Sequence, residues 1–530
     1  MKETFTEEVL ELDLAQPTQI STQYQDFIGF QRLGTKFWKE GNGVNGTLFR
    51  LALRSQGSEI SSVVYDDRRI SGLIEKFLKE AHSTMMFLKN IKSIKVFTIE
   101  AGTNHLEEKY SATLSSSSVN YFPAKLNFVQ KIKQHVNNES FASIECLDHI
   151  LGIDVKRANE ATTEYKYAIA ERFGYDGTDR DFLELISDKD LSYIPLVAVA
   201  FPMLNIDPGG HVFCTLPLPL NKYRMTGMPV HVNGFFALGQ DRKDLKWKTL
   251  STDQSNDKTV NWNIRLITEL LPYVYFNLFK FMVQQRLPAD SIYQAWPARN
   301  EIDPKWEMFL QQFNALMKNC SFIFVDSRQT WFKTTDVHFI NSDQMAPRQL
   351  ESVKKFLTKA SYSFAVVPTK ITTDIGGCAW INSNTIINLL RQNSSWYKSL
   401  DLAAQCDLLS YAVQSANDLV LLVNLTLFPL TTGGYFQLQR KQYGVNNFFI
   451  TTESHNANLL PNTGRVVNSY FFNGNTDFLQ RFTTYIATGM FDIYFFNLDF
   501  FVRFFAIYNH IEQKPHKQVK EGKYIYIFIF

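Results

Sequence analysis

The sequence lacks the residue spacings that mark most catalytic and metal-binding sites. Its five cysteines are scattered and never form a CxxC pair, which argues against a disulfide framework and a zinc site. Glycine pairs at 209–210, 376–377 and 433–434 fit neither GxxxxGKS/T nor GxGxxG, and they are typical of tight turns. GxSxG and HExxH are also missing. We therefore expect no catalytic residue, no metal and no cofactor.

A strong excess of one charge is also missing. The formal net charge is +2 at pH 7, so no overall field recruits nucleic acid or an anionic membrane. The N-terminus, MKETFTEEVLELDL, is acidic and amphipathic, unlike a secretory signal. With scattered cysteines that suit a reducing compartment, this pattern predicts a cytoplasmic protein.

One segment, 483–508, could be mistaken for a membrane span. It contains Asp492, Asp499 and Arg503, each of which would be costly at the centre of a bilayer. We predict a buried helix over this segment and no membrane span.

The chain is rich in apolar side chains. Hydrophobic residues make up 45% and aromatic residues 14%, including 45 phenylalanines. This balance supplies several cores. A chain of 530 residues is too long for one core, so roughly two to four domains are expected.

Helix patterns occur in both halves of the chain. Asp66 or Asp67 can cap a first helix, whose apolar residues recur at helical spacing. A long apolar helix follows residue 260 and is predicted to kink or break near Pro272. Another helix is predicted with Asp303 as N-cap and Pro304 at its first position.

Strand patterns alternate with these helices. The apolar runs that predict strands are IKSIKVFTIE, EYKYAIAERF, YIPLVAVAFPM, HVFCTLPLPL and CSFIFVD. Pro217 and Pro219 confine the fourth run to a sheet edge or a strand end. The alternation predicts an α/β (mixed α+β) fold with successive mixed-sheet modules joined by long helices.

Three segments carry a resemblance to a known family. NGTLFRLALR, MMFLKNIKSIKV and CTLPLPLNKYRMTGMPVHVNGFFALGQ occur in this order. Together they resemble the sacsin-repeat family of giant cytosolic co-chaperones, whose repeats are related to the ninety-kilodalton heat-shock chaperones. The likeness extends from about Phe27 to Val467, and the fold it implies is the part of a repeat that follows the ATPase domain.

The resemblance also implies what this chain lacks. A full repeat of that family begins with a GHKL-type ATPase domain, which ends in a Gly-Thr strand. Only Gly46 and Thr47 match its nucleotide motifs here. About 45 residues precede them, whereas such a domain needs about 150. Gly46 and Thr47 are therefore interpreted as vestigial, and no nucleotide binding is expected.

The segment around His231 is the best candidate site. His231, Asn233, Gly234 and Phe236 match the family's motif and form a possible interaction or structural motif. The residues themselves suggest a turn or sheet edge, where glycine permits close approach and asparagine satisfies backbone groups. His211 lies 20 residues away, a separation with no metal-ligand logic, so both histidines are predicted to be structural.

These patterns divide the chain into five parts. Residues 1–54 are an arm and the last GHKL-like strand, 55–259 a middle α/β domain, 260–318 a helical bridge, 319–470 a second α/β module and 471–530 a C-terminal helical segment with an apolar tail. The resemblance implies a non-catalytic chaperone or co-chaperone scaffold in protein quality control. Its partners would be unfolded clients or chaperones such as the seventy-kilodalton heat-shock class. The alternative is part of a GHKL-type ATPase chaperone whose nucleotide-binding head is missing.

Overall fold

The computed structural model describes residues 53–59, 61–99, 106–119, 121–204, 210–218, 226–248, 257–441, 448–451 and 465–496. The chain divides into two compact units. Unit 1 comprises the described residues up to Phe281 together with Glu301–Phe309, and unit 2 comprises Met282–Asn300 and the described residues from Leu310 onward. Gly46, Thr47 and the apolar tail lie outside the described residues.

An eight-stranded sheet is the framework of unit 1. Its strands are β1 Ser93–Ile99, β2 Leu106–Leu114, β3 Glu145–Arg157, β4 Thr163–Phe173, β5 Leu196–Leu204, β6 Val212–Cys214, β7 Leu216–Pro217 and β8 His231–Gly234. The spatial order is β1-β2-β3-β4-β5-β8-β6-β7. Neighbours are antiparallel except β6 and β8, which are parallel. The sequence correctly predicts an edge position for Pro217, since β7 is the last strand.

The first helix, α1 Asp67–Thr84, forms where the sequence predicts it. The Asp66 side chain accepts a hydrogen bond from the Arg69 backbone N–H, which satisfies a free donor of the first turn. Leu78 and Ala81 are buried in the same apolar cluster as side chains of β3, β4 and β5. This contact anchors α1 to one half of the sheet face.

Helix α3 Tyr121–Asn137 covers the other half of that face, after the short helix α2 Ser116–Val119. Phe128 and Ile132 share a cluster with Phe173 of β4 and Leu196 of β5. Alternate residues of a strand point to one face. Ile169, which packs in the α1 cluster, and Phe173 therefore lie on the same face of β4.

A long apolar helix covers the opposite face of the sheet, after the short helix α4 Arg180–Ser187. It runs as α5 Lys258–Arg265, a π-helical turn Leu266–Leu270 and α6 Leu271–Gln284. Proline lacks an N–H, so the regular ladder cannot continue through Pro272. The Leu271 N–H instead bonds to the Leu266 carbonyl, and the predicted break is absorbed as a π-bulge.

This helix, Lys258–Gln284, has a length and apolar composition that would suffice to cross a membrane, and it is the single such helix among the described residues. Of its most apolar window, 61% is buried inside the protein. Arg172 of β4 stacks over the ring of Tyr273 at 5.0 Å, which shows how the helix packs on the sheet. A core helix packed on a sheet passes the same length and composition test.

Unit 2 consists of many helices with small sheets. Its helices are α7 Ala289–Gln294, α8 Leu310–Lys318, α9 Pro347–Lys359, α10 Thr369–Ile375, α11 Ser383–Gln392, α12 Ser395–Lys398, α13 Leu402–Ala412, α14 Ala416–Leu421 and α15 Thr476–Ile486. Its strands are β9 Ile323–Val325, β10 Thr330–Phe332, β11 His338–Phe339, β12 Phe364–Ala365, β13 Ala379–Trp380, β14 Thr426–Pro429, β15 Tyr435–Gln437, β16 Phe448–Ile450 and β17 Ile493–Phe495.

Aromatic rings dominate the core of unit 2. Phe428 of β14 has ring-centroid distances of 5.2 Å to Phe436, 6.1 Å to Phe471 and 5.2 Å to Phe482. Such offset and edge-on pairs add to the free energy of burial. The high phenylalanine content therefore serves this core, and the α/β (mixed α+β) prediction is confirmed in both units.

Two helix predictions are wrong. Asp303 does not cap an α-helix: its carboxylate accepts from the Lys305 N–H at 2.9 Å in a turn, and a 3₁₀ turn follows before α8 starts at Leu310. The segment 483–508 is not one helix either. Helix α15 ends at Ile486, Gly489 has φ +75°, and β17 follows. A left-handed glycine ends a helix readily, and the apolar composition did not reveal it.

Candidate functional site

The four predicted motif residues lie in the interior of unit 1. His231, Asn233 and Gly234 belong to β8, and Phe236 follows this strand. Each is buried, with His231 2% and Asn233 7% exposed. Strand β8 lies between β5 and β6, so the expectation of a turn or sheet edge is wrong. Its two hydrogen-bonded neighbours explain why the segment is buried.

The structure brings together His211 and His231, which are 20 residues apart in the sequence. The parallel pairing of β6 with β8 places Val212 beside Val232 and stacks the rings of His211 and His231 at 5.2 Å. Burial lowers the pKa of His231 to about 3, and His211 and His82 lower it further by charge repulsion. A buried, neutral imidazole fits the predicted structural role. Among the described residues, no group of three or more His, Cys, Asp or Glu side chains could hold a metal.

Asn233 performs the backbone role that the sequence predicts for it. Its Oδ1 accepts a hydrogen bond from the Thr215 N–H at 2.8 Å. Thr215 has φ +71°, a left-handed conformation that non-glycine residues rarely adopt. The bond from Asn233 therefore holds a strained turn between β6 and β7.

Phe236 and two glycines fix the chain on both sides of β8. The ring of Phe236 meets Trp306 edge-on at 6.0 Å. A Cβ on Gly234 would lie 2.8 Å from the Phe236 ring. Gly227 has φ +70°, and a Cβ there would lie 2.0 Å from the Glu301 carbonyl oxygen. Close approach therefore requires glycine at both positions.

A cavity of about 200 Å³ lies between α3 and the sheet, and Asn233 lines it. Its walls are mainly apolar, and they include Phe87, Phe128, Ile132, Val136, Leu196 and Phe235. Three lysines, Lys89, Lys125 and Lys133, and one carboxylate, Glu171, also line it. The cavity thus combines an apolar body with an excess of positive charge.

The polar floor of this cavity is a buried ion pair. Lys125 of α3 pairs with the Oε1 atom of Glu171 on β4, and their side chains are 5% and 4% exposed. The Tyr121 hydroxyl donates to the same oxygen at 3.3 Å. Burial raises the pKa of Tyr121 strongly, and the negative charge of Glu171 adds to that rise. Tyr121 therefore stays a neutral donor to the carboxylate.

Two more ammonium groups, those of Lys89 and Lys133, line the same cavity. Burial lowers the pKa of Lys89, and repulsion from Lys125 and Lys133 lowers it further, against the opposite effect of Glu171. The Lys89 Nζ atom lies 5.8 Å from the centroid of the Phe235 ring. Within the described residues, neither Lys89 nor Lys133 forms an ion pair with an acidic side chain. Unneutralised positive charge is therefore concentrated at the cavity.

Cys214 is the last residue of β6 and is half-buried. Burial raises the pKa of its thiol to about 11, with a smaller opposing effect from the Phe236 backbone. A thiol with such a pKa is protonated at neutral pH and is a weak nucleophile.

The lysines and the glutamate of this cavity were not predicted from the sequence. A signal was present: Phe128, Ile132 and Val136 recur at i, i+4 and i+8, which is the apolar face of a helix. Lys125 belongs to that face one turn earlier. Glu171 is a single charged residue at an inward position of an apolar strand. A charge at an inward position predicts a buried partner, because burying an unpaired charge is costly.

Comparison with known proteins places this chain among relatives of sacsin. The family model described as the Sacsin domain matches residues 2–111. Human sacsin is 23% identical over 480 residues, which is 85% of this chain and 10% of the length of sacsin. The chain is therefore a sacsin-related protein that spans about a tenth of that relative. No solved structure matches it.

The resemblance stated from the sequence is thus confirmed. Two of the three quoted segments, NGTLFRLALR and MMFLKNIKSIKV, lie within the matched residues 2–111. Helix α1 and strand β1 belong to the same matched range.

Proposed function

We propose that this chain is a non-catalytic chaperone-type scaffold that binds apolar segments of unfolded client proteins. One observation carries the proposal, an exposed apolar strip along one edge of the buried face of α1. Leu73 is 49% and Phe77 43% exposed, and Ile70 is half-buried beside them. These three residues, the α1 strip, are spaced i, i+3 and i+7 and share one helix face.

The apolar face of α1 is wider than the part of it that packs on the sheet. At about 100° per residue, Leu73 and Phe77 lie at one edge of the apolar arc, while Ala81 and Leu78 lie toward the other edge. The sheet buries Ala81 and Leu78, whereas Leu73 and Phe77 remain open to solvent. An exposed apolar edge on an anchored helix is a surface on which an unfolded segment can bury its own apolar side chains.

A further observation supports the cytoplasmic location that we propose with this role. All five cysteines are described and are free thiols. Free thiols suit a reducing compartment, where the unfolded clients and partner chaperones of the proposal occur. Binding to chaperones of the seventy-kilodalton heat-shock class is the accompanying partner proposal, and it comes from the family resemblance.

An aggregation assay tests the proposal. The full chain at equimolar ratio should delay light scattering by a heat-denatured reporter enzyme. The double variant Leu73→Ser/Phe77→Ser should lose at least about half of that delay, because it removes most of the exposed apolar area of the strip. Leu183→Ser removes a residue of similar exposure, 39%, on a different helix and is the matched control.

Two results would contradict this role. One is a wild-type chain that delays no reporter; the other is a double variant as active as the wild type, with native circular dichroism in both cases. ATP turnover by the purified chain would instead favour the alternative, a portion of a GHKL-type ATPase chaperone.

A further inference from the structure

We propose that the cavity between α3 and the sheet binds a monocarboxylate with a short apolar body. The first support is the arrangement of α3. Lys125, Phe128, Ile132 and Lys133 recur at helical spacing and line the cavity. One helix therefore supplies both the apolar wall and two ammonium groups.

The second support is an unused hydrogen-bond donor. Asn233 is 7% exposed and lines the cavity. Its Oδ1 is used by the Thr215 N–H at 2.8 Å. Within the described residues, the Asn233 side-chain nitrogen has no hydrogen-bond acceptor. Asn233 lines the cavity, so this nitrogen is a donor that an oxygen of a bound ligand can use.

The third support is the charge balance. Three lysine side chains and one carboxylate line the cavity, which leaves a net charge of +2 when all are ionised. Lys125 is engaged by Glu171, whereas Lys89 and Lys133 have no acidic partner among the described residues. The repulsion that lowers the pKa of Lys89 would be relieved by an anion.

The lining favours a carboxylate over a phosphate. No arginine lines the cavity among the described residues, so the planar fork that recognises phosphate is missing from this lining. Glu171 opposes a dianion, and the phenylalanine and aliphatic walls favour a ligand whose remaining surface is apolar. Such a carboxylate can belong to a free short-chain acid or to the C-terminal residue of a peptide. Carboxylate binding here neither requires nor excludes client binding at the α1 strip, because different residues form the two sites.

Ligand-observed NMR titration of the full chain with hexanoate tests the proposal, with hexanamide as the uncharged comparison. Hexanoate should bind and hexanamide should bind at least about tenfold more weakly, since charge-assisted hydrogen bonds are the strong ones. Lys89→Met and Asn233→Asp should each weaken hexanoate binding about tenfold. Asn233→Asp keeps the Oδ1 acceptor for Thr215, and Lys89→Met keeps the aliphatic stem.

Lys131→Met is the matched control. Lys131 is on α3 and pairs with Glu145 at 2.9 Å, outside the cavity lining. Its replacement removes the same charge as Lys89→Met does and should leave the Kd for hexanoate within about twofold, the effect of a screened surface charge. Thermal unfolding of each variant checks the fold. If Asn233→Asp does not fold, Lys89→Met, at a half-exposed position, still decides the test.

Two peptides that end in leucine, one with a free and one with an amidated C-terminus, distinguish the sources. Tighter binding of the free-ended peptide than of hexanoate supports a polypeptide terminus. Binding of hexanoate alone supports a free acid. Equal binding of hexanoate and hexanamide, an equal loss in Lys131→Met and Lys89→Met, or no binding of any carboxylate would overturn the proposal.

Discussion

Helices α1 and α3 cover two halves of the same sheet face with different chemistry. Under α1, Leu78 and Ala81 meet aliphatic and aromatic side chains of the strands. Under α3, Lys125 meets Glu171, and a cavity remains beside them. The same strand, β4, serves both halves: Ile169 belongs to the α1 cluster, and Glu171 lies two residues further along.

The difference teaches where this unit can bind a ligand. The contact of Leu78 and Ala81 with the sheet is apolar and anchors α1, and a more polar cavity of about 410 Å³ lies beside it. The apolar surface that α1 leaves to solvent is the α1 strip. The charged contact under α3 leaves a cavity beside the ion pair that a ligand can fill. One face of one sheet therefore supports an external and an internal candidate site.

The largest effect should come from Lys125→Met. The variant leaves the Glu171 carboxylate buried without its ammonium partner, and breaking such a pair costs about 3–5 kcal/mol of unfolding free energy. Urea unfolding measures the loss. The double variant Lys125→Met/Glu171→Leu should restore most of it, because an apolar replacement of both partners is often neutral. A single-variant loss under about 1 kcal/mol, the value of an exposed pair, would show that the pair is solvated.

A smaller effect sharpens the contrast between the two sides of α1. Leu78→Ala should cost about 2–3 kcal/mol, because it removes a buried side chain from the cluster under the helix. Phe77→Ala, one residue earlier and 43% exposed, should change the unfolding free energy by about 0.5 kcal/mol or less. Denaturant midpoints of the two variants give the comparison. Equal losses would mean that the α1 strip is buried in solution.

A third effect, which is small at neutral pH and grows as the pH falls, is a pH dependence under α1. Burial lowers the pKa of His82 to about 4 and that of His231 to about 3, from the ordinary 6.5. At a pH between the folded-state pKa of each histidine and 6.5, the unfolded chain binds more protons than the folded chain. Stability is therefore complete above pH 6.5 and falls as the pH drops toward 4, by up to about 1.4 kcal/mol per pH unit for each histidine.

The variant His231→Phe separates this contribution from other acid effects. Neither ring nitrogen of His231 has a hydrogen-bond partner among the described residues, so phenylalanine removes the titration without removing a bond. Urea unfolding at pH 7, 6 and 5 should show a shallower slope, by about one proton, than the wild type. An unchanged slope would mean that His231 does not titrate with folding.

The elements that the sequence predicts correctly are those that local pattern determines. The Asp66 cap and the spacing up to Ala81 lie within one helix, so α1 needs no distant information. Pro272 alone predicts an interruption of the helical hydrogen bonds. Only the form of the interruption, a π-bulge, depends on the packing around it.

The candidate site depends on distant partners, which a single sequence does not pair. Lys125 and Glu171 are 46 residues apart and meet through the position of α3 on β4. Asn233 and Thr215 meet because β8 enters the sheet beside β6. The sequence therefore predicted the residues of β8 as a motif, but it placed them at an edge and did not reveal the cavity.

The position of β8 affects the order in which the strands can join the sheet as the chain is synthesised. Strands β6 and β7 leave the ribosome before β8, yet β8 alone connects them to β5. The hairpin of β6 and β7 must therefore wait for a later segment before it can join the sheet. In the finished protein this hairpin depends on β8 for its place in the sheet, and Thr215 of its turn lines the cavity. Loss of the β8 pairing would therefore remove Thr215 and Asn233 from the cavity lining while the strands from β1 to β5 keep their own pairs.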